Sequence, residues 1–210
     1  MSRLFRRRGR ADGDRGLAMV EMAIVAPLLA LLVAGTVEYG TLWRDSQTVT
    51  SSSRASARVV SNLGDNYLAD YEALLSLNAA LSSIDGVTLE DVLIYDASAV
   101  DGLPDASCFD GNGDPQDSAG YCNHYSGADV AAINLIDCTV SCVEFPNNSN
   151  CAGGVTAYYC PQTDRQTDQL LGLSSVGVWV RISREYFTGM FPGDGVTIED
   201  RTVMKVEPEA

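Results

Sequence analysis

Arg15-Gly16-Leu17-Ala18-Met19-Val20-Glu21-Met22-Ala23-Ile24-Val25-Ala26-Pro27-Leu28-Leu29-Ala30-Leu31-Leu32-Val33-Ala34-Gly35-Thr36-Val37-Glu38-Tyr39-Gly40-Thr41-Leu42-Trp43 is the stretch that decides the fold. From Leu17 to Trp43 only Glu21 and Glu38 carry charge. A crossing of ~30 Å of hydrocarbon takes about 20 helical residues. Leu17 to Glu38 spans roughly 31 Å along a helix at ~1.5 Å per residue. Glu38 therefore falls at the far interface, and Tyr39 and Trp43 suit the aromatic belt found there. Pro27 is tolerable in a membrane helix and is expected to kink it. A carboxylate such as Glu21 at the head of the apolar run is costly in lipid and needs a partner.

Upstream of this stretch, residues 1–16 hold six arginines against Asp12 and Asp14. Basic residues before an apolar run hold that end in the cytoplasm, so the C-terminal remainder is expected outside. That remainder holds eight basic and 26 acidic residues, within a chain of 210 residues and net charge −14. Such a surface repels phosphate, which argues against nucleic acid as a partner. Two other readings of the apolar run are open. One is a secretory signal peptide cut after Val33-Ala34-Gly35. The other is a plain single-span anchor in which Glu21 is accidental.

Downstream the chain reads as one modest α+β domain. Leu42, Val49, Ala55, Val59 and Leu63 have loosely helical spacing and continue the membrane helix, with Gly64 as its stop. Leu68, Tyr71, Leu74, Leu75, Asn78 and Leu81 predict a second helix. Val87 to Tyr95 reads as a strand with imperfect alternation. Val176, Val178, Val180 and Ile182 alternate cleanly, and Thr197 to Val206 is a further strand. The expected layout is a leader over 1–16, a transmembrane helix over 17–43, and an extracytoplasmic domain over 44–210. Within that domain, 96–165 is expected to be a disulfide-rich loop insertion, with the helices packed on an antiparallel sheet.

All six cysteines, Cys108, Cys122, Cys138, Cys142, Cys151 and Cys160, fall in that Asp-, Asn- and Gly-rich insertion. An even count in an exported segment argues for disulfides. Sequence does not choose among the possible connectivities; we expect Cys108 with Cys122 and the other four paired locally. Cys138 and Cys142 have a zinc-compatible spacing but no second pair with histidine support. Asp110, Asn112, Asp114 and Asp117 place oxygen ligands as a weak calcium loop would. The EF-hand pattern fails at Pro115, where glycine belongs, and at Tyr121, where a bidentate glutamate belongs. No other cofactor is expected.

Catalytic motifs are missing. His124 is the only histidine and Lys205 the only lysine, and no nucleophile elbow, zincin, P-loop or dinucleotide fingerprint occurs. His124 is expected to be a structural loop residue, and the chain is not expected to be an enzyme.

Arg15-Gly16, Val20-Glu21, Ala23, Pro27, Gly35 and Glu38-Tyr39-Gly40 together resemble the N-terminal signature of the TadE-like family, minor pseudopilins of the tight-adherence (Flp) pilus. Val92 to Ala97 followed by Cys108, Cys122-Asn123-His124-Tyr125, Val176 to Arg181 and Thr202 to Pro208 resemble the extracytoplasmic part of actinobacterial members. Met22 departs from the aromatic residue often found after the glutamate in processed pseudopilins. The resemblance implies cleavage between Gly16 and Leu17 by a membrane aspartyl prepilin peptidase. It implies assembly through Glu21, one helical turn from the new α-amino group. The implied partners are that peptidase, other pilins and pseudopilins, the pilus membrane platform and the lipid bilayer. The implied role is non-enzymatic assembly in a pilus or related secretion system. The competing class is a membrane-anchored extracellular module that binds calcium or carbohydrate.

Overall fold

The computed structural model describes residues 11–133, 138, 142–189 and 193–208. The leader arginines up to Arg10 lie outside the described residues. Helix α1 runs unbroken through Ala11–Leu63, with Pro27 inside it. Alanine, leucine and valine dominate its first half, and it stops where Gly64 takes a φ of +54°. There the Gly64 amide bonds the Val60 carbonyl at 2.9 Å, a left-handed glycine cap. Helix α2 (Ala69–Leu81) follows, with Asp70 and Glu72 in its first turn.

Four strands form one antiparallel sheet in the order β2-β1-β3-β4. They are β1 (Val87–Asp96), β2 (Cys122–Ser126), β3 (Ser175–Glu185) and β4 (Gly195–Lys205). The short helix α3 (Gly127–Ile133), the one-turn α4 (Pro161–Asp164) and a 3-10 turn at Ala106–Cys108 are the other helical segments among the described residues. The expected α+β architecture is present, with three disulfides: Cys108–Cys122, Cys138–Cys142 and Cys151–Cys160. The insertion is more than loop, however. Its residues Cys122–Ser126 form the edge strand of the sheet, paired with β1 from Tyr95 to Asp91.

The imperfect alternation in β1 has a structural cause. The β1–β3 register shifts between Leu89 and Asp91, leaving Glu90 as an extra residue. Val87 and Leu89 pack toward the helices before the bulge, and Val92 and Ile94 after it. Leu93 and Tyr95 therefore face the other way, into a second cluster with Cys108, Cys122 and Trp179. Gly177 lies opposite Tyr95 in the register. A Cβ on Gly177 would fall inside the Tyr95 ring, so this position admits no side chain unless the ring moves.

The helix face that meets the sheet is not the one the apolar spacing marks. Ala55 is exposed, and Leu42, Val59 and Leu63 are only half-buried. The buried residues are Val49, Ser52, Ser53, Ser56, Ala57, Val60 and Ser61. Small side chains let α1 approach closely, and their hydroxyls bond across the seam. Thr50 donates to Asp200 at 3.1 Å, Ser53 bonds Asp200 and Thr202, and Ser61 donates to the Lys205 carbonyl at 2.5 Å. As the helix advances from 50 to 61, its partners advance from 200 to 205, so α1 runs parallel to β4. On β3 the order reverses: Glu38 meets Phe187 and Thr188, while Asp45 meets Arg184. β3 thus descends toward the apolar half of α1, and β4 climbs away from it.

Candidate functional site

The residues expected to direct processing and assembly lie on the free half of α1. Gly16, Leu17 and Glu21 are exposed. Every residue from 16 to 33 is exposed, and α1 is long and apolar enough to cross a membrane. A core helix of this composition would be covered by its own domain; here none of the described residues covers it. A Cβ on Gly16 would meet nothing within 4 Å. Gly16 is part of the helix, so exposing its peptide bond in extended form requires local unwinding. Glycine eases that unwinding by about 1 kcal/mol relative to alanine.

Of the three residues placed at the far interface, Tyr39 and Trp43 are exposed and stack with centroids 6.4 Å apart. Glu38 differs. It is 2 % exposed, and its two carboxylate oxygens accept the backbone amides of Phe187 and Thr188, each at 2.9 Å. It is the first residue of α1 to be buried by the domain. Two turns further on, Asp45 pairs with Arg184 at 2.7 Å, and the Arg184 Nη1 donates to the Asp85 carbonyl at 2.7 Å. Sequence reading missed this use of Glu38, because its partners are backbone amides 149 and 150 residues away.

The four calcium candidates do not converge. Asp110 accepts the amides of Asn112 and Asp114 in its own turn, at 2.8 and 2.9 Å. Those amides hold its carboxyl below the usual range. Asp114 pairs with Arg181 at 3.1 Å, and Asp117 accepts the His124 amide at 2.8 Å. Among the described residues no group of three or more histidine, cysteine or acidic side chains is arranged to hold a metal ion.

Cys122-Asn123-His124-Tyr125 turns out to be the edge strand, and its alternation divides four tasks. On the outer face Cys122 bonds Cys108, while His124 contacts Asp91 at 2.7 Å. His124 is thus a strand residue rather than a loop residue. Asp91 also binds the Arg181 guanidinium, whose carbon lies 5.6 Å from the Trp179 ring centre. On the inner face Asn123 and Tyr125 both donate to Asp70, at 3.0 and 2.8 Å. Arg165 reaches the other Asp70 oxygen at 2.5 Å, with both side chains fully buried. Asn123 also exchanges two bonds with the Tyr159 backbone, at 2.8 and 2.9 Å. Neither Asp70 nor Arg165 was singled out from sequence, since a lone acid in a first helical turn reads as a surface residue.

Burial raises the phenols of Tyr125 and Tyr159 at this network, and on the other face of the sheet it pushes Tyr95 up to about 12. A folded pKa raised above an unfolded value of about 10 gives stability that is complete below pH ~10 and is lost as pH rises through the folded value. Phenolate absorbance from these three tyrosines is expected only together with loss of tertiary circular dichroism, near and above pH 12. Their ionisation at lower pH in the folded protein would contradict the buried network.

One long helix, a candidate membrane anchor by length and composition, carries a disulfide-bonded, sheet-based head. A family model described as TadE-like protein matches residues 16–58, the family that the sequence motifs resemble. The match covers the exposed half of α1 and most of the part seated on the sheet. No curated protein and no solved structure matches the chain.

Proposed function

We propose that the chain is a minor pseudopilin or assembly factor of a tight-adherence pilus or related secretion system, processed after Gly16. The family match links it to the pilus at a coarse level. The observation that carries the finer reading is the division of α1. Residues 16–33, Glu21 apart, present apolar side chains all round, while the same helix continues without a break into the head. Only lipid or other helices can cover such a surface, and a pilin passes from the first to the second. With the leader in the cytoplasm, the head lies outside, where its three disulfides are stable.

Cleavage would give Leu17 a free α-amino group within one turn of Glu21. Pairing the two offsets the cost of holding both charges near hydrocarbon. The role we assign is structural, in line with the pilus-associated, non-enzymatic family whose model the chain matches. The test is expression with a prepilin peptidase and the cognate major pilin. The mature chain is expected to begin at Leu17, to co-purify with pilins, and to carry an exported reporter after Ala210. A mature N-terminus at Met1 or near Thr36, without pilin association, would replace this reading with a plain anchor or a signal peptide.

A further inference from the structure

We propose that the head touches the bilayer a second time, through Phe187 in the turn between β3 and β4, held there by Glu38. The inference rests on the reading that residues 17–43 span a membrane. Glu38 lies roughly 31 Å from Leu17 along the helix, at the level where hydrocarbon of ~30 Å ends. Its carboxylate fixes the amides of Phe187 and Thr188 directly against that level. β3 runs antiparallel to α1, so Phe187, just past its last residue Glu185, lies at the end of the head nearest the membrane. Phe187 is nevertheless 72 % exposed. A phenyl ring standing free in water at this position has no use for the head's own core.

The neighbouring helix surface points the same way. Tyr39 and Trp43, exposed and stacked, belong to the same level. Ala34 and Gly35, one turn toward the membrane from Glu38, are partly covered, whereas Ala23, Ala26 and Ala30 are open. The head therefore reaches slightly past Glu38 on one side of the helix. The occupant favoured is the apolar side of the lipid interface. The strongly acidic chain rules against attraction to anionic headgroups, so the contact is expected in neutral lipid and to be insensitive to salt. Two attachments fix what one cannot: a lone helix leaves the head free to rotate and tilt, and a ring inserted beside it sets both.

Tryptophan quenching by phosphatidylcholine brominated near its headgroup tests this in the full-length chain, reconstituted in vesicles. The native chain has only Trp43 and Trp179, and Trp179 is 7 % exposed inside the head, where it reports folding in every sample. Bromolipid is expected to quench Trp43 in the native chain, and Trp43→Phe to abolish that quenching. Adding Phe187→Trp to Trp43→Phe should restore a loss of emission comparable to that of native Trp43. Adding Glu38→Ala as well should reduce it. No quenching at position 187, with Trp43 quenched in the native chain, overturns the proposal. No quenching of Trp43 itself overturns the membrane reading on which it rests. Undiminished quenching after Glu38→Ala would overturn the holding role given to Glu38.

Discussion

Arg165→Leu is expected to destabilise the head by about 3–5 kcal/mol, because it leaves the Asp70 carboxylate buried without its counter-charge. Both side chains are fully enclosed, and Asp70 also anchors Tyr125 and Asn123. Domains of this size hold only about 5–15 kcal/mol in total. The thermal midpoint should fall by roughly 6–20 °C. Asp70→Leu should do comparable damage, since it strands the guanidinium and two donors together. The double variant should recover part of the loss, because an apolar pair carries no buried charge. Recovery stays incomplete, since Tyr125 and Asn123 still lack an acceptor. Unfolding of the purified chain, followed by circular dichroism in detergent, gives all three values. An unchanged midpoint for either single variant would show that the pair does not hold the helix, the edge strand and the disulfide-linked segment together.

Substitutions at Gly16 and Glu21 are expected to separate cleavage from assembly. Gly16→Val should leave essentially all the protein at full length and release no Leu17 N-terminus. Nothing within 4 Å obstructs a side chain there, so folding is not at stake. The expected block lies in the peptidase and in the unwinding of α1. Glu21→Ala should still be cut, yet its pilin co-purification should collapse, since the new ammonium has lost its carboxylate in a low-dielectric setting. Glu21→Gln, equal in shape but uncharged, should behave like alanine. N-terminal sequencing and pull-down on the same samples decide the matter. Efficient incorporation of Glu21→Gln would sink the charge-pairing mechanism even if cleavage proceeds as proposed.

Much of the scaffold can be read from local pattern. The long apolar run, the Gly64 stop, α2 and the valine alternation of β3 are short-range signals, and short-range geometry produced them. Sequence does not choose among the disulfide connectivities, although the expected Cys108–Cys122 bond and local pairing of the other four are present. The rest depends on partners far apart in sequence. The serine-rich face of α1 is not marked by apolar spacing, yet it is the seam with β4, because hydroxyls bonded to Asp200, Thr202 and the Lys205 carbonyl are cheap to bury. Cys122–Ser126 carries a cysteine, an asparagine and a histidine and so lacks the usual strand composition; β1 recruits it as an edge. Glu38 illustrates the same gap, since carboxylate-to-amide bonds leave no trace in the identity of residues 187 and 188. The candidate assembly residues Gly16 and Glu21 stand out for the opposite reason: the role proposed for them needs only neighbours within about one helical turn.

The alignment of α1 with the sheet has a mechanical consequence. At ~1.5 Å per residue its 53 residues make a rod about 80 Å long. A pull along that rod, as when a subunit is drawn out of a bilayer, acts along the common axis of β3 and β4, which run in opposite senses beside it. The Glu38 clamp, the Asp45–Arg184 pair and the hydroxyl bonds of Thr50, Ser53 and Ser61 are spread along the axis, so they share the load in shear. A sideways force would instead peel them one after another. The head should therefore resist axial tension far better than transverse tension, a directional strength that a flexible linker between anchor and head could not supply.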